Sequence, residues 1–451
     1  MDLKGSENLF DRLQLRSATK APRRLLQRSA AWPCRYDLCA VLSGHRGCVN
    51  SIHWTPDGQL LSGSDDRTLK LWPLPVGRNA APGASLATAH RHNIFDAQTR
   101  DMQQIVSCGA DGNVCLTSIN GTSELLFEPD FGEMSLAFKI AFLPNSGKEF
   151  LVTFGDGALR LFDLRKRQAW TPLRAAVGLV GLAVHPDGRT LAVGGNDPFL
   201  RLYDLRALSR EGSTRPLSLH STAALARRKR VEAFSSFFSG VSDVGISSVC
   251  WDEKGRCLTN FRGGDLELMD FGGSMDDSVP TLELEEGKVA LSSVRSFRGR
   301  ANEATCAKGA AFLCGGACVA SGGDCGHLFL WSTESGQLLR KLRADRRVLN
   351  SLAPHPVLQA VAASGIDADI KFFDVAPPPS APSPPPSAPS AAAASASAAR
   401  RRARWEAEAA EQEGDALLRQ GAWVEALAIY EEALRLAPSR SCWLSAAACH
   451  S

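Results

Sequence analysis

The chain has 451 residues, a net charge of +3 and 44% hydrophobic content. Near-neutrality gives no bulk electrostatic case for nucleic-acid binding, and no stretch approaches the roughly 18 uninterrupted apolar residues that a membrane helix requires. The opening MDLKGSENLFDRLQLR lacks an apolar signal core, and the 13 cysteines sit mostly in apolar runs such as AFLCGGACVA. These features predict a soluble intracellular protein with reduced thiols, in nucleus, cytoplasm or both.

Residues 1–36 hold two short amphipathic helix candidates, ENLFDRLQLRSA and APRRLLQRSAAW, broken at ATKAP. From residue 44 the pattern changes. GHRGCVNSIHWTPDGQLLSGSDDRTLKLW has short alternating runs at 49–54, 59–62 and 68–72, separated by the turn signals TPDG and GSDDR. The same skeleton returns at 92–119, 136–165, 177–206, 245–271, 310–332 and 348–375, which makes seven units. The arginines of FDLR and YDLR, Arg165 and Arg206, are 41 residues apart, an interval suited to one propeller blade.

Here the chain resembles the WD-repeat family. A single unit has open edges and an unburied face, and a ring of blades removes both. The resemblance implies a seven-bladed all-β propeller over residues 37–375, closed by a strand from 37–42. Asp66, Asp111, Asp156, Asp197 and Asp367 each stand six residues before the position equivalent to Trp72. In the family this aspartate caps the turn between inner strands, accepting from backbone and from a histidine such as His45. The fifth unit is shorter there and the sixth has Asp324 one residue displaced, so those two blades are expected to be less regular.

Besides residues 1–36, three stretches fall outside the ring pattern. Residues 207–240 read as an insertion with a basic RRKR, and 376–403 as a Pro/Ala/Ser-rich spacer too poor in large apolar groups to pack. Residues 404–451 turn helical. Gly414, Gly421, Ala426, Tyr430, Ala433 and Pro438 resemble the tetratricopeptide pattern, giving a short α-helical segment after the propeller. One and a half such repeats cannot bury their own apolar face, so the array is expected to be cut short at residue 451.

The third and fourth units carry the chemistry. Asp156, Phe162, Asp163 and Arg165 recur as Asp197, Tyr203, Asp204 and Arg206. An aspartate after the aromatic is expected of the fold, but the arginine two residues later is not; the first unit has Pro75 there and the seventh Ala376. A guanidinium is a rigid fork suited to carboxylate or backbone oxygen on another protein. The doublet is similar to the box of the DCAF proteins, the substrate receptors of cullin-4 ubiquitin ligases, and GHRGCVNSIHW, SGGDCGHLFLW and LAPHPVLQAVAASGIDADIKFFD are similar to their branch with tetratricopeptide repeats. In that branch the helical repeats interrupt the propeller, whereas here they follow it.

The resemblance implies a non-catalytic receptor. Its adaptor, the damaged-DNA-binding subunit, would be met by Arg165 and Arg206 with Asp163, Asp204, Phe162 and Tyr203. It also implies an N-terminal helical element entering the adaptor, for which Phe10 and Leu13, with Leu15, Leu25 and Leu26, are candidates; packing on the chain's own propeller is the alternative. The substrate protein is not specified. A propeller and helical-repeat scaffold outside ubiquitination, a chaperone or chromatin platform, is the competing reading.

Other clusters point to less. Cys306, Cys314, Cys318, Cys325 and His327 do not have CxxC spacing and read as small buried thiols rather than a metal site. RRKR at 227–230 and RRRAR at 400–404 are not interleaved with aromatics, so sequence-specific nucleic-acid recognition is not expected. No nucleophile elbow, P-loop lysine or cofactor motif emerges.

Overall fold

The computed structural model describes residues 36–375, except 74–78, 81, 102, 131–135, 145, 209–214, 223–243, 272–280, 285–286 and 306–307, together with 423–436. The chain divides into two units at residue 376. The first is a seven-bladed propeller, each blade a sheet of at least four strands. The first strands of neighbouring blades pack on one another in turn, and that of blade 7, Leu349–Pro354, returns to that of blade 1, Val49–Trp54.

Closure follows from the chain's own start. Tyr36–Ser43 pairs antiparallel with Asp369–Val375, from Tyr36 opposite Val375 to Ser43 opposite Asp369, and so supplies the fourth strand of blade 7. Its burial pattern fits: Leu42 is fully buried while Leu38 is 52% exposed.

The core is not central. It is seven apolar clusters, each between two neighbouring blades: Leu61 and Leu69 with Ile94 and Ile105, for instance, or Leu151 and Leu159 with Leu179, Leu191 and Tyr203. Large side chains wedge against small ones where blades converge. A Cβ added at Gly63 would lie 2.8 Å from Ile94 of the next blade.

Three features differ from the sequence expectations. Residues 207–240 are not wholly outside the ring, because Ser218–Ser221 is the fourth strand of blade 4. That blade grows to six strands, since the hairpin Thr281–Leu284 and Gly287–Leu291, which leaves from blade 5, adds to it in parallel. Blade 7 likewise gains Asn79–Ala80 from blade 1. Short strands with distant partners carry little periodicity, so these additions leave no sequence signal. In the second unit, the described residues form one helix, Trp423–Leu436, which buries Tyr430; Ala426 and Ala433 lie on it, and Gly414, Gly421 and Pro438 lie outside the described residues.

Because closure rests on the buried side of one strand, Leu42→Ala is expected to lower stability by about 2–5 kcal/mol. Leu38→Ala should stay within about 0.5 kcal/mol of wild type. Paired denaturant melts check this; equal effects would contradict the register.

Candidate protein-interaction rim

The turn aspartates organise each blade before any partner is considered. In blade 1, Asp66 accepts from His45 Nδ1 at 2.8 Å, from the Arg46 backbone N–H and from Thr68. His45 Nε2 meets Ser62 Oγ at 2.7 Å, and Ser62 in turn accepts from Trp72 Nε1. With the carboxylate taking the Nδ1 proton, His45 is the neutral tautomer that accepts from Ser62, and burial holds its pKa below the ordinary imidazole value. Asp66 is pushed down to about 2 by its hydrogen-bond donors, against the opposing effect of burial.

Blade 2 repeats the device with His90, Asp111 and Ser107. His90 was not singled out from sequence, yet it stands 21 residues before its aspartate, as His45 does before Asp66. Blades 3, 4 and 7 replace the histidine with a cation four residues on: Arg160 on Asp156, Arg201 on Asp197 and Lys371 on Asp367, the last also held by Arg346. In blade 6, the displaced Asp324 binds the fully buried Lys308.

At the other end of the third strand lies the repeated box. In each blade the turns from strand one to two and from three to four emerge at the same end, so residues following the third strands of blades 3 and 4 share one face. Asp163 Oδ1 accepts the Arg165 backbone N–H at 2.9 Å and its Nε at 3.0 Å, while Nη2 donates to Asp163 Oδ2 and to Glu149, each at 3.0 Å. Asp204 and Arg206 repeat this geometry: backbone N–H at 2.9 Å, Nε at 3.0 Å and Nη2 to Oδ2 at 2.6 Å. The arginine side chains are nonetheless 59% and 68% exposed. The guanidinium holds Asp163 below the usual carboxylate range and pushes Asp204 down to about 2. A two-residue loop thus fixes each fork at its rear and leaves it accessible, which lowers the rotamer entropy lost when something else binds it.

The aromatic members of the box do not reach this surface. Phe162 and Tyr203 are each 3% exposed and pack into the inter-blade clusters, Phe162 stacked on Phe150. Asp163 is 2% exposed. Of the six residues expected to meet a partner, the arginines and the partly exposed Asp204 reach the surface, whereas Asp163 holds Arg165 from beneath and Phe162 and Tyr203 pack between blades. Phe10 and Leu13 lie outside the described residues, as does Cys306. Among the described residues no helix is long and apolar enough to cross a membrane.

The fold and its turns define a WD-repeat propeller protein. The profile of the WD domain, G-beta repeat family matches residues 36–73 and 174–204. DDB1- and CUL4-associated factor 6 from Mus musculus is 31% identical over 304 residues, 64% of this chain and 33% of that protein. The Homo sapiens protein of that name is 30% identical over 305 residues. WD and tetratricopeptide repeats protein 1 from Mus musculus is 31% identical over 188 residues, 39% of this chain and 27% of its own length. The chain is thus similar to DCAF-like WD-repeat proteins, and it spans about a third of the length of the first relatives it matches.

Buried imidazoles make the fold sensitive to acid. His220, between Ser218 and Ser292, and His355, against Trp54, are both lowered by burial from 6.5 to about 4. The unfolded chain binds protons below 6.5 that the folded chain refuses, so stability falls as pH drops from 6.5 towards 4 and is level above 7. Each fully titrating histidine contributes a slope of about 1.4 kcal/mol per pH unit. Thermal melts across this window are expected to show the decline, and His220→Gln and His355→Gln to flatten it.

Proposed function

We propose that the chain is a non-catalytic receptor that joins a target protein to a cullin-4 ubiquitin ligase through the damaged-DNA-binding adaptor. One observation carries the reading: two accessible arginines, each clamped from behind by its own aspartate in the same geometry, stand on one face of neighbouring blades. Nothing in the ring requires them, since the corresponding positions of blades 1 and 7 are Pro75 and Ala376. The printed names of the relatives, DDB1- and CUL4-associated factors, support the same partner. The propeller loops on the opposite face are free to vary and suit the target protein.

A second reading keeps the propeller as a scaffold and gives the recognition role to the carboxy-terminal segment. The tetratricopeptide resemblance is one of sequence, from Gly414 to Pro438, of which the described residues hold the single helix Trp423–Leu436, and two relatives bear that repeat in their name. Retention of a chaperone's acidic carboxy-terminal peptide by this chain would favour it.

Arg165→Ala combined with Arg206→Ala is expected to weaken adaptor binding roughly tenfold or more, as loss of interface anchors does. The unfolding temperature should fall only slightly: the buried Asp163 carboxylate loses the Arg165 side-chain donors but keeps the Arg165 backbone N–H, and Asp204 is partly solvated. Binding at wild-type strength in a pull-down or titration would overturn the receptor reading.

A further inference from the structure

Blade 6 contains a turn that the receptor reading does not use. Cys314, Gly315 and Gly316 have φ of 54°, 64° and 84°, three successive left-handed residues in the sequence CGGAC. Glycine takes this conformation freely, whereas cysteine takes it only under strain. Leu313 pairs with Cys318 across the turn, so the strained backbone sets Cys314 beside Cys318 in one buried cluster, with its thiol 4.0 Å from the Tyr36 hydroxyl. Tyr36 is 1% exposed, and burial raises its pKa so that it remains an O–H donor.

The effect on the sulfur is unusual for this protein. Burial pushes Cys48 up to about 11 and Cys115 and Cys250 up to about 12, whereas the Cys318 and Tyr36 hydrogen bonds hold Cys314 below the ordinary thiol value. Reach is also provided. Cys314 lines a cleft of about 960 Å³ shared by blades 5 and 6 and a second of about 210 Å³ towards blade 7. Thr333 Oγ1, buried in the wall of the larger cleft, has no hydrogen-bond partner and can receive a donor from an entering molecule. The cleft mouth mixes Lys254 and Arg295 with Glu253 and Glu334, so it selects for polarity rather than sign.

We propose that Cys314 and Cys318 form a reversible thiol–disulfide site that takes a low-molecular-weight disulfide from the cleft as its oxidant. The Cys314 thiolate attacks one sulfur of that disulfide; the S–S bond breaks, and one thiolate leaves with the electron pair and takes up a proton. Cys318, having lost its proton, attacks Cys314 Sγ in the resulting mixed disulfide and expels the second thiolate, which is protonated in turn. Two protein thiols are oxidised by two electrons, and the small disulfide is reduced to two thiols. The product staples the turn beneath Tyr36, the residue that begins the closing strand.

The test treats the full chain with oxidised glutathione, blocks the remaining thiols and maps the peptides by mass spectrometry. Wild type is expected to yield a Cys314–Cys318 link, marked by the loss of two hydrogens and reversed by dithiothreitol. Cys318→Ser should accumulate glutathione on Cys314, and Cys314→Ser should give neither product at this turn. In untreated protein, iodoacetamide at neutral pH should label Cys314 at least roughly tenfold faster than Cys115, a comparison that needs no variant to fold. Glutathione confined to the exposed Cys39 and Cys325, or Cys314 labelling no faster than Cys115, would overturn the proposal.

Discussion

A ring of wedges stands only if its ends meet, and in this chain the ends meet through the main chain. The pairing of Tyr36–Ser43 with Asp369–Val375 brings an edge that would otherwise be open into blade 7. Side chains then seal the joint: Ser364 Oγ donates to the Val49 carbonyl across 315 residues, and Trp54 Nε1 to the Ala353 carbonyl across 299. Every apolar cluster is shared by two blades, so a missing closure would uncover the facing sides of blades 7 and 1 and weaken the neighbours that lean on them. Such distant pairings place the ring among folds whose assembly waits on long loop closures.

Within that frame, the blades solve one electrostatic problem in several ways. A carboxylate at the turn before the third strand needs donors once it is half-buried. Blades 1 and 2 give it a histidine backed by a serine; blades 3, 4 and 7 give it a cation from its own strand. The exchange is physically reasonable because both supply a proton to the same oxygen. The cation also neutralises the charge and, in Arg160, lays its guanidinium over Phe154 at 4.1 Å.

How much of this could be read from sequence depended on the range of the interaction. The seven units, the turn aspartates and the paired arginines show in the one-dimensional pattern because each is set by spacing within about 40 residues. The closing strand was readable too, since a ring of seven requires one. The six-stranded blade 4 was not, because Leu219 meets Val289 through short strands joined by unpatterned chain. The burial of Phe162 and Tyr203 was equally hidden: an aromatic beside a surface arginine looks like part of the surface until the neighbouring blade is seen to cover it. The character of Cys314 depends on a backbone twist and on Tyr36, far away in sequence.

Seven blades built on the same four-stranded core confer an approximate rotational symmetry, and symmetry is ambiguous to a visitor. A molecule approaching that face would find seven almost equivalent ways to settle, separated by equal turns about the axis. The Asp–Leu–Arg forks occur on blades 3 and 4 alone, while the matching place in blade 6 is taken by Glu334, of opposite charge. Two adjacent marks and a counter-mark leave a single angular setting in which both forks are engaged, so the ring acquires a compass bearing from a handful of atoms.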